Sequence, residues 1–214
     1  MILFLDTISS LPEFCLIEDK KIVYSKKILP NQNDKMSDLL IPSYLELEKD
    51  FNLNSKLKLL ITNTGPGSYT ALRIGIAFFA SLSLSKNISL IGISCIDLFR
   101  FIIPDEELYT SGIMISSSND QNFICIFNKN KNRFIINKIE KNLTLPKQDI
   151  YLSMLKKVYT NENLNEENKG IFLDKKINVL TFSEIVNMKI EKIENLKKND
   201  IIKPIYYSNN KILN

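Results

Sequence analysis

Gly65-Pro66-Gly67-Ser68-Tyr69-Thr70 stands between an apolar run from Leu57 to Thr62 and a longer one from Ala71 to Leu84. The first run has the length and composition of a strand, the second those of a helix. Two glycines around a proline make a tight turn, because glycine reaches positive φ and proline fixes φ at about −65°. Ser68 or Thr70 can cap the helix that follows. Such a turn directs backbone N–H groups into the space at a helix N-terminus, which suits an anion or a partner's acidic or carbonyl groups. Gly65, Gly67 and Ser68 are the candidate contacts. No Gly-Lys-Ser/Thr follows, so this is not the phosphate loop of the NTPases.

Upstream, Met1 to Leu5 and Phe14 to Ile17 are apolar, and Asp19-Lys20-Lys21 turns the chain before Ile22-Val23-Tyr24. These read as antiparallel strands. Asn33 to Lys49 places Met36, Leu39, Leu40, Ser43 and Leu47 at helical spacing, with Asn33 or Asp34 as cap and a bend at Pro42. Downstream of the glycine turn come a helix from Thr70 to Ser85, a strand from Ile88 to Ser94 and a short helix from Cys95 to Ile103. Strand, helix, strand with this crossover length implies a parallel pair. Pro104-Asp105-Glu106-Glu107 divides the chain into an α/β lobe over 1–104 and a smaller lobe over 105–214. In the second, Ile113 to Ser116, Phe123 to Phe127 and Phe134 to Ile139 read as antiparallel strands, with turns at Asn119-Asp120 and at Asn128 to Asn132. A helix is expected from Gln148 to Lys157, a loop from Asn161 to Lys169, a strand from Val179 to Phe182, and a helix capped by Ser183 and running to Leu196. No sequence repeat organises the chain.

With 214 residues and 44% hydrophobic content, the chain can fill one generous core or two small lobes. Net charge is +4 with both signs interspersed, which permits RNA contact without arguing for it. Cys15, Cys95 and Cys125 are odd in number, form no Cys-x-x-Cys and sit in apolar runs. Buried free thiols in a reducing, cytoplasmic compartment are expected. Met1 to Leu5 is interrupted by Asp6 and has no basic flank, so a signal peptide is not expected. Ala71 to Leu90 carries Arg73, Lys86 and several serines, which argues against a membrane span. The chain has no histidine. That removes the Ser-His-Asp triad, the Cys-His pair and the histidine zinc sites. No catalytic residue, metal ligand or cofactor is assigned.

The helix from Thr70 to Lys86 has charge only at Arg73 and Lys86. A surface helix normally shows a solvated face. Ile74, Phe78 and Leu82 are expected on its sheet side, and Ala77, Ala80, Ser81 and Ser85 leave a strip of small side chains. Either the helix is buried inside its own lobe, or it is clamped between its sheet and another subunit. The Met36 to Leu47 helix lies beside it in the second reading, and a matching helix pair from a partner closes a four-helix bundle. Met36, Leu39, Leu40, Ser43, Leu47, Tyr69, Thr70, Arg73, Ala77, Ala80 and Ser81 are the candidate partner-binding residues.

Leu3-Phe4-Leu5-Asp6-Thr7, the block from Thr64 to Gly75, Leu90-Ile91-Gly92-Ile93-Ser94 and Lys203-Pro204-Ile205-Tyr206-Tyr207 resemble, in this order, the TsaB (YeaZ) family. That family is required for threonylcarbamoyladenosine modification of tRNA. The resemblance implies the two-lobed actin/sugar-kinase/Hsp70-like (ASKHA) α/β fold in shortened form, with mixed sheets. It also implies a non-catalytic subunit that pairs through the two first-lobe helices with TsaD, the threonylcarbamoyl transferase. TsaE, an ATPase, joins that pair; the same helices can make a homodimer, and contact with tRNA is indirect. The chain departs from the family's pattern at Ser116-Ser117-Ser118-Asn119-Asp120, at Asn33-Asp34-Lys35-Met36-Ser37 and at Tyr206-Tyr207-Ser208.

An independent ATP-binding small-molecule kinase or ATPase of the same fold is the alternative, and a peptidase is the third. Asp6 stands where such kinases position a magnesium-bound phosphate. Thr7-Ile8-Ser9 follows it in place of glycine, so a turn or cap role is expected. Arg73 is open to two readings, a salt bridge within the fold or a contact to a partner or nucleotide. Lys189, Lys192, Lys197 and Lys198 read as a solvated helix face.

Overall fold

Leu3 and Leu5 point to one side of the first strand and Phe4 to the other, and both sides are buried. That two-sided alternation makes β1 (Ile2–Asp6) the centre of a sheet. β2 (Glu13–Glu18) and β3 (Lys21–Lys27) extend it antiparallel on one side. β4 (Leu59–Asn63) and β5 (Ser89–Ile93) extend it parallel on the other, giving the order β3-β2-β1-β4-β5. The computed structural model describes residues 1–29, 34–117, 121–128, 133–139, 150–164, 169–170, 172, 174–196 and 202–206.

α1 (Met36–Phe51) and α3 (Tyr69–Lys86) cover one face of this sheet, with the single turn α2 (Leu53–Lys56) between α1 and β4. Their apolar side chains meet Leu3, Leu5, Phe14, Leu16, Leu60 and Leu90 in one core. α1 passes through Pro42, and its N-cap position is Lys35, which makes no side-chain cap bond. Asp34 is therefore not the cap, and Asn33 lies outside the described residues. Ser68 occupies the N-cap position of α3 but its hydroxyl does not cap either.

α4 (Cys95–Arg100) does have a side-chain cap, Ser94 Oγ accepting from the Asp97 amide at 3.0 Å. After a 3-10 turn (Asp105–Thr110), a second sheet begins. β6 (Ser111–Ser117), β7 (Gln121–Asn128) and β8 (Arg133–Ile139) form an antiparallel meander. α5 (Ile150–Ser153) leads to β9 (Lys157–Thr160), parallel to β6, and β10 (Lys176–Val179) lies parallel to β9. The order is β10-β9-β6-β7-β8. Read from the other edge, this is the first sheet again: a central strand, an antiparallel hairpin on one side and two parallel strands on the other. The repeat lies in topology, where the sequence gives no echo of it.

The two sheets share a core. Phe4, Cys15, Ile61 and Ile91 from the first meet Ile113, Ile115, Phe123 and Cys125 from the second through α4 and the last helices. α6 (Phe182–Met188) and α7 (Ile190–Glu194) return across the first sheet, where α6 touches β1 and β3 and α4 touches β6. The edge-to-face pair Phe99–Phe182 at 5.9 Å joins them. So all strands of the first sheet precede Pro104, while the helices after Thr181 pack against that first sheet.

Three second-half expectations are corrected. The strand is Lys176–Val179 and not Val179 to Phe182. Thr181, not Ser183, caps α6, in a reciprocal capping box with Glu184; Ser183 is buried and donates to the Glu13 carboxylate. The expected helix over Gln148 to Lys157 is the single turn α5, because Lys157 already belongs to β9. Asn119-Asp120, the turn over 129–132, residues 165–168 of the expected loop, Lys197, Lys198 and Tyr207 lie outside the described residues.

Candidate functional site

The glycine turn is tied into the chain by its own backbone. The Thr64 amide donates to Ile93 O at 2.9 Å, the Cys95 amide to Gly65 O at 2.8 Å, and the Ile205 amide to Thr64 O at 2.7 Å. Gly65 has φ +119°, which excludes an L side chain. The Ser68 amide donates to Ser117 Oγ at 3.0 Å. Gly65 and Ser68 are buried and Gly67 half-buried. This turn joins the end of β4 to the C-terminal segment and to β6, and the Ser68 amide expected for an anion is already bonded.

Asp6 ends β1 in the same place. Its Oδ1 accepts from the Ile8 amide at 2.8 Å, the Ser9 amide at 3.3 Å and Asn63 Nδ2 at 2.7 Å. Burial raises its carboxyl above the ordinary value, against the hydrogen bonds that lower it. Asn161 bridges the ends of the two central strands. Its Oδ1 accepts from the Ser116 amide at 2.8 Å, and its Nδ2 donates to Ser116 O at 2.8 Å and to Ser9 Oγ at 3.3 Å. Asp6 therefore closes a turn. Among the described residues, no group of three or more Cys, Asp or Glu is placed to hold a metal ion.

The outer surface of α1 and α3 is different. α3 turns Leu72, Gly75, Ile76, Phe79 and Leu82 onto the sheet. Ile74 and Phe78, expected there, lean to its flank and are only partly buried, Phe78 meeting Tyr44 of α1 edge-on at 5.3 Å. Gly75 sits so close to Thr7 that a Cβ would meet its methyl at 2.4 Å. Opposite the sheet, Thr70, Arg73, Ala77, Ser81 and Leu84 form one exposed stripe at spacings of three and four. Leu84 is 84% exposed. α3 is covered by its own chain on two sides only. Ala80, assigned to the stripe from sequence, is half-buried against the α1 core.

On α1, Met36, Leu40, Ser43 and Leu47 are buried in the chain's own core, and Leu39 is half-buried. They hold the helix to its sheet and are not at the surface. The exposed apolar residues of α1 are Ile41 and Leu45, each 53% exposed and one turn apart. Sequence reading missed them because it followed the core stripe; the signal was two further apolar residues at i, i+4 beside it. The ion pair Lys86–Glu48 at 2.7 Å pins the far end of α3 to α1. At the near end, Arg73 lies 3.8 Å over the Tyr69 ring, and its Nε donates to Tyr206 OH at 3.1 Å. Arg73 thus contacts aromatic rings where a salt bridge was one of two expectations.

Residues 21–125 match the family model described as TsaD, tRNA N6-adenosine threonylcarbamoyltransferase. No curated protein matches the chain. Two solved structures from Pseudomonas aeruginosa share the fold. One is an uncharacterized protein with similarity to the peptidase YeaZ, with a TM-score of 0.60, 12% identity, and coverage of 96% of this chain and 98% of the other. The second is YeaZ itself, with a TM-score of 0.58, 12% identity, and coverage of 96% and 99%. The two mixed sheets are those of the YeaZ structures. Among the described residues no helix is long and apolar enough to cross a membrane.

Proposed function

Taking the chain as a member of the TsaB/YeaZ family, an assignment supported by the matched family model and the shared fold, we propose that it is a non-catalytic subunit in tRNA N6-threonylcarbamoyladenosine formation. It binds and activates a TsaD-type threonylcarbamoyltransferase in the cytoplasm. The observation that carries this reading is the exposure of apolar residues on both of two helices that share one core, Ile41 and Leu45 on α1 and Ala77 and Leu84 on α3. Small residues on α3 let a second helix pair approach closely, and the leucines and isoleucine each contribute roughly 1.5–3 kcal/mol when fully buried. A second copy of the chain can occupy the same helices when the transferase is absent, and a TsaE-type ATPase joins the heterodimer. The transferase supplies the chemistry; this chain supplies a docking face and holds it rigid through its core.

The test is titration of the purified chain with a TsaD-type transferase, followed by reconstitution of tRNA modification with and without the chain. Association, with modification dependent on the chain, is the expected result. Absence of association, or modification that proceeds unchanged without the chain, overturns the reading.

A further inference from the structure

The C-terminal segment 202–206 crosses the ends of β4 and β5 and delivers one side chain to the docking face. Its Ile205 amide is fixed on Thr64 O at 2.7 Å, and Ile202 lies over Gly92, where a Cβ would meet it at 2.7 Å. Tyr206 then lands on the first turn of α3. Its ring lies 4.6 Å from the Tyr69 ring, its hydroxyl accepts from Arg73 Nε at 3.1 Å, and it stays 41% exposed. Tyr69 is 50% exposed, and its ring lies next to that of Tyr206 with the Arg73 guanidinium 3.8 Å over its face. Both tyrosines face the Arg73 guanidinium, Tyr206 through its hydroxyl on Nε, and among the described residues no carboxylate pairs with it. The first turn of α3 carries no acidic residue.

Resting on the docking role proposed above, we infer that Tyr69, Arg73 and Tyr206 form a preset cradle for a carboxylate side chain of the catalytic partner, at the N-terminal end of the α3 stripe. The Tyr69 ring against its plane and the Tyr206 hydroxyl on its Nε hold an exposed guanidinium in place, so its fork is ordered before a partner arrives. Arginine and tyrosine are the residues that concentrate binding energy at protein interfaces. The cradle is continuous with Thr70, Ala77 and Ser81, so a helix pair laid on the stripe brings its own side chains to Arg73. A nucleic acid is the poorer occupant. Backbone phosphates call for several cations along a track, whereas this face offers Arg73 beside an apolar strip, and Lys86 at the far end is paired with Glu48.

The experiment measures affinity of the full chain for the transferase at low and high salt, with melting temperature as a check on folding. Arg73→Gln and Tyr206→Ala are expected to weaken binding by about tenfold or more and to flatten its salt dependence, and Arg73→Lys to recover only part, because an ammonium lacks the fork. Tyr206→Phe keeps the ring and loses the hydroxyl, and falls between. If the unaltered chain binds and all four variants bind alike, the cradle is overturned while the docking role stands. If Arg73→Gln abolishes binding of tRNA to the chain but leaves affinity for the transferase intact, the cradle belongs to RNA and the inference is likewise overturned. Failure of the unaltered chain to bind overturns the docking role and this inference with it.

Discussion

The carbonyl oxygen of Ile205 lies 2.5 Å from the point where a Cβ on Gly65 would stand. The glycine turn therefore makes room for the C-terminal segment. Gly65→Ala meets this backbone atom and also a φ of +119°. Two separate penalties fall on one methyl group, and a loss of roughly 2–4 kcal/mol is expected in urea denaturation. Gly67→Ala meets the Ile8 side chain at 2.8 Å instead. Ile8 is buried and branched and must shift, but Gly67 adds neither a backbone clash nor a positive φ, so the smaller loss belongs to Gly67. Equal losses at the two positions contradict this account.

Asp6 yields a prediction whose sign separates turn closure from phosphate positioning. Burial raises its carboxyl in the folded chain. A group raised on folding stabilises fully below its unfolded value, and that contribution is lost as pH rises through the folded value. At pH 7 the buried charge is thus a cost. Asp6→Asn keeps an oxygen for the Ile8 and Ser9 amides and for Asn63 and removes the charge, so it is expected to equal or exceed the parent in stability at pH 7. The gap closes as the pH is lowered toward 4. Asp6→Ala orphans those donors and loses about 1–3 kcal/mol at either pH. Denaturation curves at the two pH values check all three; an Asp6→Asn variant much weaker than the parent at pH 7 sinks the argument.

The first lobe was legible because its signals are local. The short continuous apolar runs Met1 to Leu5 and Phe14 to Ile17, the glycine turn and the apolar run behind it each specify an element within a few residues. In the second half, the short apolar run Phe123 to Phe127 between polar turn residues is a strand as expected, and the reading failed where two caps competed. Thr181 and Ser183 both precede Glu184; Thr181 has the three-residue spacing of the capping box and takes the helix start, which shortens the strand before it. Of the α1 residues expected to meet a partner, Met36, Leu40, Ser43 and Leu47 are buried and Leu39 is half-buried, while Ile41 and Leu45 are the exposed ones. Helical spacing finds an apolar face, and the strongest apolar face is the one that packs on its own sheet. Tyr206 was beyond reach, since 133 positions separate it from Arg73 and only the path of the chain brings them together.

Ala77 and Ala80 are one turn apart on α3 but sit in different surroundings. Ala77 is exposed, and Ala80 packs against the α1 core. Ala77→Glu is expected to change stability by no more than about 0.5 kcal/mol while abolishing association, because a carboxylate buried without a partner in a helix seam costs several kcal/mol, roughly 3–5. Ala80→Glu is expected to lower the melting temperature as well. Leu84→Ser weakens association with little effect on the isolated chain. Thermal melts paired with transferase titrations separate the three.

The cysteines are unpaired and fully buried. Burial pushes the Cys15 thiol up to about 11 and raises those of Cys95 and Cys125. Thiolate is the reactive form. An aromatic disulfide reagent at pH 8 is expected to label none of the three in the folded chain and all three in denaturant. By the same linkage, stability present below the unfolded thiol value of about 8.5 declines as pH rises toward 11. A fast-reacting thiol in the native state contradicts the assigned burial.

Asn161 offers the sharpest test of how the two sheets are joined. It follows β9, yet its amide spans Ser116 at the end of β6 and Ser9 just past β1. Beside it Glu162 accepts from the Ser10 amide, and burial raises the Glu162 carboxyl. Asn161→Ala removes both roles at once and leaves the Ser116 amide and carbonyl without their partner. A loss of roughly 2–3 kcal/mol is expected. Asn161→Asp keeps the acceptor for the Ser116 amide but sets a carboxylate against Ser116 O and near Glu162 and Asp6. Its deficit is therefore expected to exceed that of alanine at pH 7 and to shrink on acidification, when the new group is protonated and can donate again. Denaturation of both variants at pH 7 and pH 5 decides the matter. An aspartate variant whose deficit does not move with pH means that Asn161 does not face the carbonyl and the neighbouring acids as described.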